Sequence, residues 1–308
     1  MAHAPALSAG RHSSDFKLGI LLVAGAAITW SFGGSIARFI STEDSWAIVF
    51  WRSVFASGFL LAFMLLRDGP RGTLKMFRDM GWAGIGVAVC FGTASSAFVV
   101  ALQHTTVANI LLIQAAAPLF AALLSWVVLR ERVTPATALA IAVVIFGVGV
   151  MVSSSISGTV SPMGDGLALL ITVMFSTAIV ITRHSPKLRM TPAVCLGTAM
   201  AAVNAFFLSG GLSVSMPDLG WLFLFGAINL GMGLAMFVTG ARLVPAALGA
   251  LVSTLETVLG PVWVWLIHGE VPGGRTIIGG AIVFGALLIH ILTDWRRQRV
   301  QDRTMPTP

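Results

Sequence analysis

The chain reads as an all-α integral membrane protein: ten transmembrane helices as two inverted five-helix repeats, both termini cytoplasmic. Three observations predict this: an oily composition, alternating clusters of basic residues, and a repeat held in constant register. Hydrophobic residues make up 56% of the sequence and charged residues only 10%, against about 25% charged in soluble domains. A bilayer, not a water-filled surround, is the solvent such a chain requires.

Apolar runs long enough to cross about 30 Å of hydrocarbon recur from end to end. Residues 1–16 are polar and small, lack the layout of a cleaved signal peptide, and are expected to form a cytoplasmic tail. The first repeat occupies 17–153, with helices expected at 17–39, 46–66, 81–102, 106–128 and 135–153. An extracytoplasmic linker, 154–163, follows. The second repeat, 164–293, has helices expected at 164–183, 191–209, 219–240, 246–267 and 274–293, before a basic cytoplasmic tail at 294–308. Turn signals rich in Gly and Pro separate the spans at 67–72, 161–165 and 271–274.

Helix two needs its own argument. The uncharged run from Ser53 to Leu66 holds only 14 residues, too few to span. The helix must extend back through Arg52 to Trp46, which places Arg52 about one-third of the way across. Glu256 is the corresponding acid, with uncharged runs on both sides in helix nine, near the midplane. Intramembrane ionisable groups are functional-site hypotheses by default.

Orientation follows from Lys and Arg. With the N-terminus inside, 16 of the 19 fall on the cytoplasmic side, including those of 67–79, 130–132, 183–189 and 296–303. Only Arg38 and Arg275 fall outside, and Arg52 lies within. The 67–79 stretch is expected along the inner surface.

A shift of 139 positions maps helices three to five onto eight to ten without a gap. Gly81 and Trp82 meet Gly220 and Trp221, Gly92 meets Gly231, Trp126 meets Trp265, and Glu131 meets Glu270. A shift of 145 aligns Ser31 with Ser176 and Arg38 with Arg183. Five helices per copy is an odd number, so the second copy sits upside down. Inverted repeats of this kind are a transporter architecture with a midplane site.

Several stretches carry a family resemblance: TrpSer at 30–31, PheTrpArgSer at 50–53, the run from Ala115 to Thr134, and its echo from Gly260 to Val271. In the last two a Pro is followed about ten residues later by Glu. On these residues the chain resembles the EamA-type ten-helix exporters of the drug/metabolite transporter superfamily, and is similar to bacterial aromatic amino-acid exporters. The resemblance covers nearly the whole chain. It implies a monomeric secondary transporter of the bacterial inner membrane that exports amino acids, including aromatic ones, or other small amphipathic metabolites or drugs. It implies no cofactor. The helix-two arginine has no counterpart in helix seven, where the shift lands on Gly197.

Candidate cavity residues are Trp30, Ser31, Arg52, Ser95, Gln114, Ser176, Thr177, Asn229, Ser253, Glu256 and Trp263. Arg52 could take a substrate carboxylate bidentately, pair with Glu256, or snorkel to the interface. Glu256 could meet a substrate amine, exchange a proton, or serve structurally. The small polar residues could equally be interhelical glue. Gly33, Gly34, Pro118, Gly260 and Pro261 are expected to kink or hinge their helices, and Glu131 and Glu270 to cap or pair at helix ends.

Two other classes, an intramembrane enzyme and a channel, fit less well, and nothing in the sequence suggests an open polar pore. PheAlaSerGly at 55–58 only loosely resembles an intramembrane protease motif. No metal-binding run or phosphate loop is present in the sequence, and the basic residues sit at helix ends rather than on a nucleic-acid-binding face. Cys90 and Cys195 lie in apolar runs and are expected to be free thiols.

Overall fold

The computed structural model of the chain describes residues 6–130, 134–156, 161–185, 189–244 and 246–304. Glu131 and the middle of the 154–163 linker lie outside the described residues. The helices are α1 (Ala6–Ser31), α2 (Gly33–Ala37), α3 (Ser45–Asp79), α4 (Gly81–Ala101), α5 (Val107–Gln114), α6 (Ala117–Leu129) and α7 (Pro135–Ile156). The second half has α8 (Pro162–His184), α9 (Met190–Leu208), α10 (Met216–Phe223), a π segment (Leu224–Met232), α11 (Gly233–Gly240), α12 (Ala246–Ser253), α13 (Leu255–His268) and α14 (Gly274–Thr304).

Among the described residues eight helices are long and apolar enough to cross a membrane; Val107–Leu129, bent by 41°, makes a ninth if counted as one span. The region expected as span nine is also interrupted, at Thr254, with the 14-residue helix Leu255–His268 as its longer piece. The two interruptions occupy the same register: Ala115 and Thr254 are repeat mates.

Of the two breaks, the one in span four directly precedes its proline, and the one in span nine does not. Pro118 sits in the first turn of α6, where its missing N–H has no helical partner to lose. Pro261 lies inside α13, beyond the break. In α3 the expected turn appears as a kink: Gly69 has φ 71° and ψ 172°, and Pro70 follows. Glycine adopts that φ without penalty, so 71–79 leaves the line of the preceding span.

Helix packing is symmetric under exchange of each span with the one five later. α3 packs on α9 and α7 on α14. The α4–α8 contact recurs as α11 and the π segment against α1, α4–α9 recurs as the π segment against α3, and α6–α8 recurs as α13 against α1. α4 and α9 meet backbone to backbone, since a Cβ on Gly92 would lie 2.6 Å from Gly197 O.

Alternate loops gather at alternate ends. At one end Asp218 accepts from Ser41 and Thr42, Asp44 Oδ2 from Gly210 N at 2.9 Å, and Glu43 O from Gln103 Nε2 at 2.8 Å. Arg275 Nη1 donates to Ser153 O there at 2.7 Å. At the other end Arg189 lies 3.7 Å from Asp68. The main core between them joins α3, α4, α5, α8, α9, α10, the π segment and α13 around fully buried Phe225 and Leu222.

Candidate functional site at the broken helices

Helix one is interrupted at Phe32, whose N–H reaches only Thr29 O, at 3.4 Å. Opposite it, the π segment inserts an extra residue into the helical turn and re-aims the side chains it carries. Asn229, in that segment and 4% exposed, donates through Nδ2 to Thr29 O at 2.5 Å and Trp30 O at 3.3 Å. A Cβ on Gly33 would stand 3.0 Å from Asn229 Oδ1. The irregularity in each helix thus accommodates the other.

Trp263 reaches the same break from α13. Its Nε1 donates to Ser31 Oγ at 2.9 Å, and its ring stacks on Phe32 at 4.8 Å. Ser31 donates in turn to Ile28 O at 2.6 Å. Trp30 packs on Phe237 at 5.4 Å, and its buried Nε1 makes no hydrogen bond among the described residues. Gly260 lets α13 approach Leu111, and Gly34 lets α2 approach Val107. These glycines permit close contact between elements.

At the break in the first half, Ser176 of α8, the mate of Ser31, donates to Ala117 O at 3.0 Å and to Thr172 O of its own helix at 2.6 Å. Both serines therefore contact the helix just past a break. Gln114 and Ser253 are the last residues before the two breaks; Ser253 bonds back to Gly249 O at 2.9 Å. Glu256 lies in the first turn of α13, where the helix N-terminus favours a carboxylate. It is half-buried and has no hydrogen bond or ion pair among the described residues. Thr177 only bonds back to Val173 O at 2.8 Å and is not brought to this hub.

Arg52 is 6% exposed and does not meet Glu256. Its Nη1 donates to Ser95 Oγ at 2.8 Å and Ser95 O at 3.3 Å. Its guanidinium lies over Phe225 at 4.2 Å and near Phe98 at 5.8 Å. Similar membrane depths suggested the Arg52–Glu256 pair, but depth says nothing about position around the bundle: α3 packs on α4, α9 and the π segment, while α13 packs on α1, α2 and α5. Snorkelling is also excluded in this arrangement, because the side chain turns inward.

The asymmetry of position 52 has a packing cause. Gly197, its mate, abuts Ala88 O, so no side chain fits there. On the Arg52 side the glycine belongs to the other helix: Gly226 abuts Arg52 O. Moving the small residue across the contact frees position 52 to carry a side chain.

A set of charged residues that sequence reasoning gave no site role closes one end of the bundle. Arg38 pairs with Glu270 at 2.8 Å and donates to Leu102 O at 2.6 Å and Thr105 O at 3.3 Å. Glu270 Oε1 accepts from Val107 N at 2.8 Å, satisfying an N–H at the start of α5. The expectation that Glu270 caps or pairs is met in both senses. Beside this cluster His268 bonds Ser35 at 3.1 Å, and Asn109 bonds the buried Asp165. One signal was available: Arg38 and Arg275 are the two cations that depart from the charge bias, and each is tied to backbone carbonyls.

An apolar groove of about 560 Å³ lies between α4, α8 and α9, lined by residues such as Val89, Met163, Leu170 and Phe207. These are exposed on the flank, and neither Arg52 nor Glu256 lines the groove.

Comparison with known proteins bears on this geometry. A model described as the EamA-like transporter family matches residues 17–153 and 162–292. The chain is 26% identical over 281 residues to the pseudopaline exporter CntI of Pseudomonas aeruginosa strains UCBPP-PA14 and PAO1, covering 88% of this chain and 95% of each relative. A solved crystal structure superposes with a TM-score of 0.61 at 18% identity, covering 90% of this chain and 98% of that one, a likeness of fold.

Proposed function

The chain belongs to the EamA-like transporter family, and from that premise we propose that it exports small amphipathic metabolites, amino acids foremost, across a bacterial cytoplasmic membrane by alternating access. The observation that carries this reading is the pair of interrupted helices. Spans four and nine break at repeat-mated residues, Ala115 and Thr254, with Gln114, Ser253 and Glu256 beside the breaks. Discontinuous helices at a repeat interface are where secondary transporters hold substrate.

Three further observations support it. The packing is symmetric under exchange of halves. Alternate loops gather at alternate ends, as ten crossings require. The end expected outside by the charge bias is closed by the Arg38–Glu270 cluster.

Amino acids rest on the sequence resemblance. The relatives named as pseudopaline exporters favour a second cargo, pseudopaline or a compound like it. Flux from liposomes holding the purified protein decides between them. Amino acids, pseudopaline, sugars, nucleosides and cationic drugs are loaded in turn. Amino-acid flux above protein-free liposomes is the expected result. Flux of another class alone rejects the amino-acid assignment, and flux of none rejects transport.

A further inference from the structure

Arg52 is a buried, fixed cation with one edge unpaired among the described residues. Ser95 anchors Nη1 from one end of the guanidinium. Phe225, fully buried, and Phe98 fix its plane. Nε is buried and donates to nothing among the described residues, and Nη2 makes no hydrogen bond to them either. These two groups form the edge of arginine that takes two oxygens at once.

No carboxylate of the described residues lies within salt-bridge distance of Arg52. An arginine serving only to glue helices would saturate its donors, since a buried donor without a partner is destabilising. Here the protein holds the side chain still and leaves the bidentate edge unfilled. The repeat adds a second argument. Position 52 carries a side chain where Gly226 of the facing helix gives the close approach, whereas its mate Gly197 is held to hydrogen by Ala88 O.

We propose that the Nε–Nη2 edge of Arg52 binds the carboxylate of the transported metabolite, so that cargo is selected for that group. This rests on the reading of the protein as a metabolite exporter. A carboxylate matches the edge in shape, being planar with two oxygens in fork geometry. It also matches in charge, since one negative charge neutralises one guanidinium, whereas a phosphate monoester brings nearly two. Phe98 and Phe225 offer an apolar wall next to it, and Ser95 acts as a positioning residue.

The test uses the full chain in nanodiscs, with thermal unfolding read by tryptophan fluorescence. Probes are matched pairs: L-phenylalanine with L-phenylalaninamide, and phenylacetate with phenylacetamide, alongside phenyl phosphate. Both carboxylates are expected to raise the unfolding midpoint and their amides not to. Arg52→Lys keeps the charge and loses the fork, and should weaken apparent carboxylate affinity at least about tenfold, as should Arg52→Met. Equal stabilisation by acid and amide overturns the proposal. So does tighter binding of phenyl phosphate, undiminished binding by Arg52→Lys, or a wild type that no carboxylate stabilises. If Arg52→Met fails to fold, the matched pairs on wild type and Arg52→Lys decide alone. Flux and binding separate the two readings. Carboxylate binding without flux of any compound counts against export and leaves this site standing. Flux confined to neutral or cationic compounds leaves export standing and removes the site.

Discussion

Arg38 at the end of helix one and Glu270 before helix ten are joined at 2.8 Å, with Glu270 also accepting from the first N–H of α5. One carboxylate thereby ties together the ends of spans one, four and nine. The pair is partly exposed, at 29% and 20% of the side chains, so its net contribution is that of a screened pair.

Breaking this pair should loosen one end of the bundle without unfolding it. Glu270→Gln removes the charge and keeps the shape. A cysteine at Ser35, which is buried, should then label about threefold faster from outside, equivalent to about 0.7 kcal/mol. An unchanged rate shows that the pair does not hold that end closed.

Asn229 should matter for stability more than its size suggests. Asn229→Leu deletes the donor to Thr29 O and Trp30 O and should lower unfolding stability by about 1–3 kcal/mol. Denaturation in detergent measures it. A loss below the scatter of neutral surface variants shows that the break in helix one is satisfied some other way.

Glu256 predicts the opposite pattern. It has no protein partner among the described residues, so Glu256→Gln removes a charge that folding must desolvate. The variant should be as stable as wild type or more so, while flux falls about tenfold or more. Reduced stability with flux intact makes the carboxylate structural.

The loops test the number of crossings. In a background lacking Cys90 and Cys195, a cysteine at Ser213 should label in intact cells and one at Lys75 only after permeabilisation. Both positions are exposed. Labelling of both from the same side removes the ten-span arrangement.

Much of the fold was legible because hydrophobic length and charge bias act locally. Expected spans such as 274–293 and 81–102 match Gly274–Thr293 and Gly81–Ala101 closely. The break before Pro118 was legible because proline disrupts the turn that precedes it, whereas the break at Thr254 lies seven residues ahead of Pro261 and has no local signal. Ser31, Trp263, Asn229 and Ser95 were legible as polar or aromatic residues in oily helices, but their partners were not, since depth along a helix does not fix its neighbour. Arg52 was found by span length alone, and its separation from Glu256 by packing alone. Asp218 and Asp165 carried no signal in the sequence, and only the structure shows the groups they bond.

Alternating exposure of the broken-helix region is the claim on which the functional reading turns, and Gln114 reports it. A cysteine there is labelled with a small impermeant reagent from each side in turn, with and without a disulfide linking Arg38→Cys to Glu270→Cys. The account predicts labelling from both sides in the unlinked protein, and loss of outside labelling alone when the disulfide forms. Labelling from outside that survives the disulfide, or labelling from neither side, contradicts it.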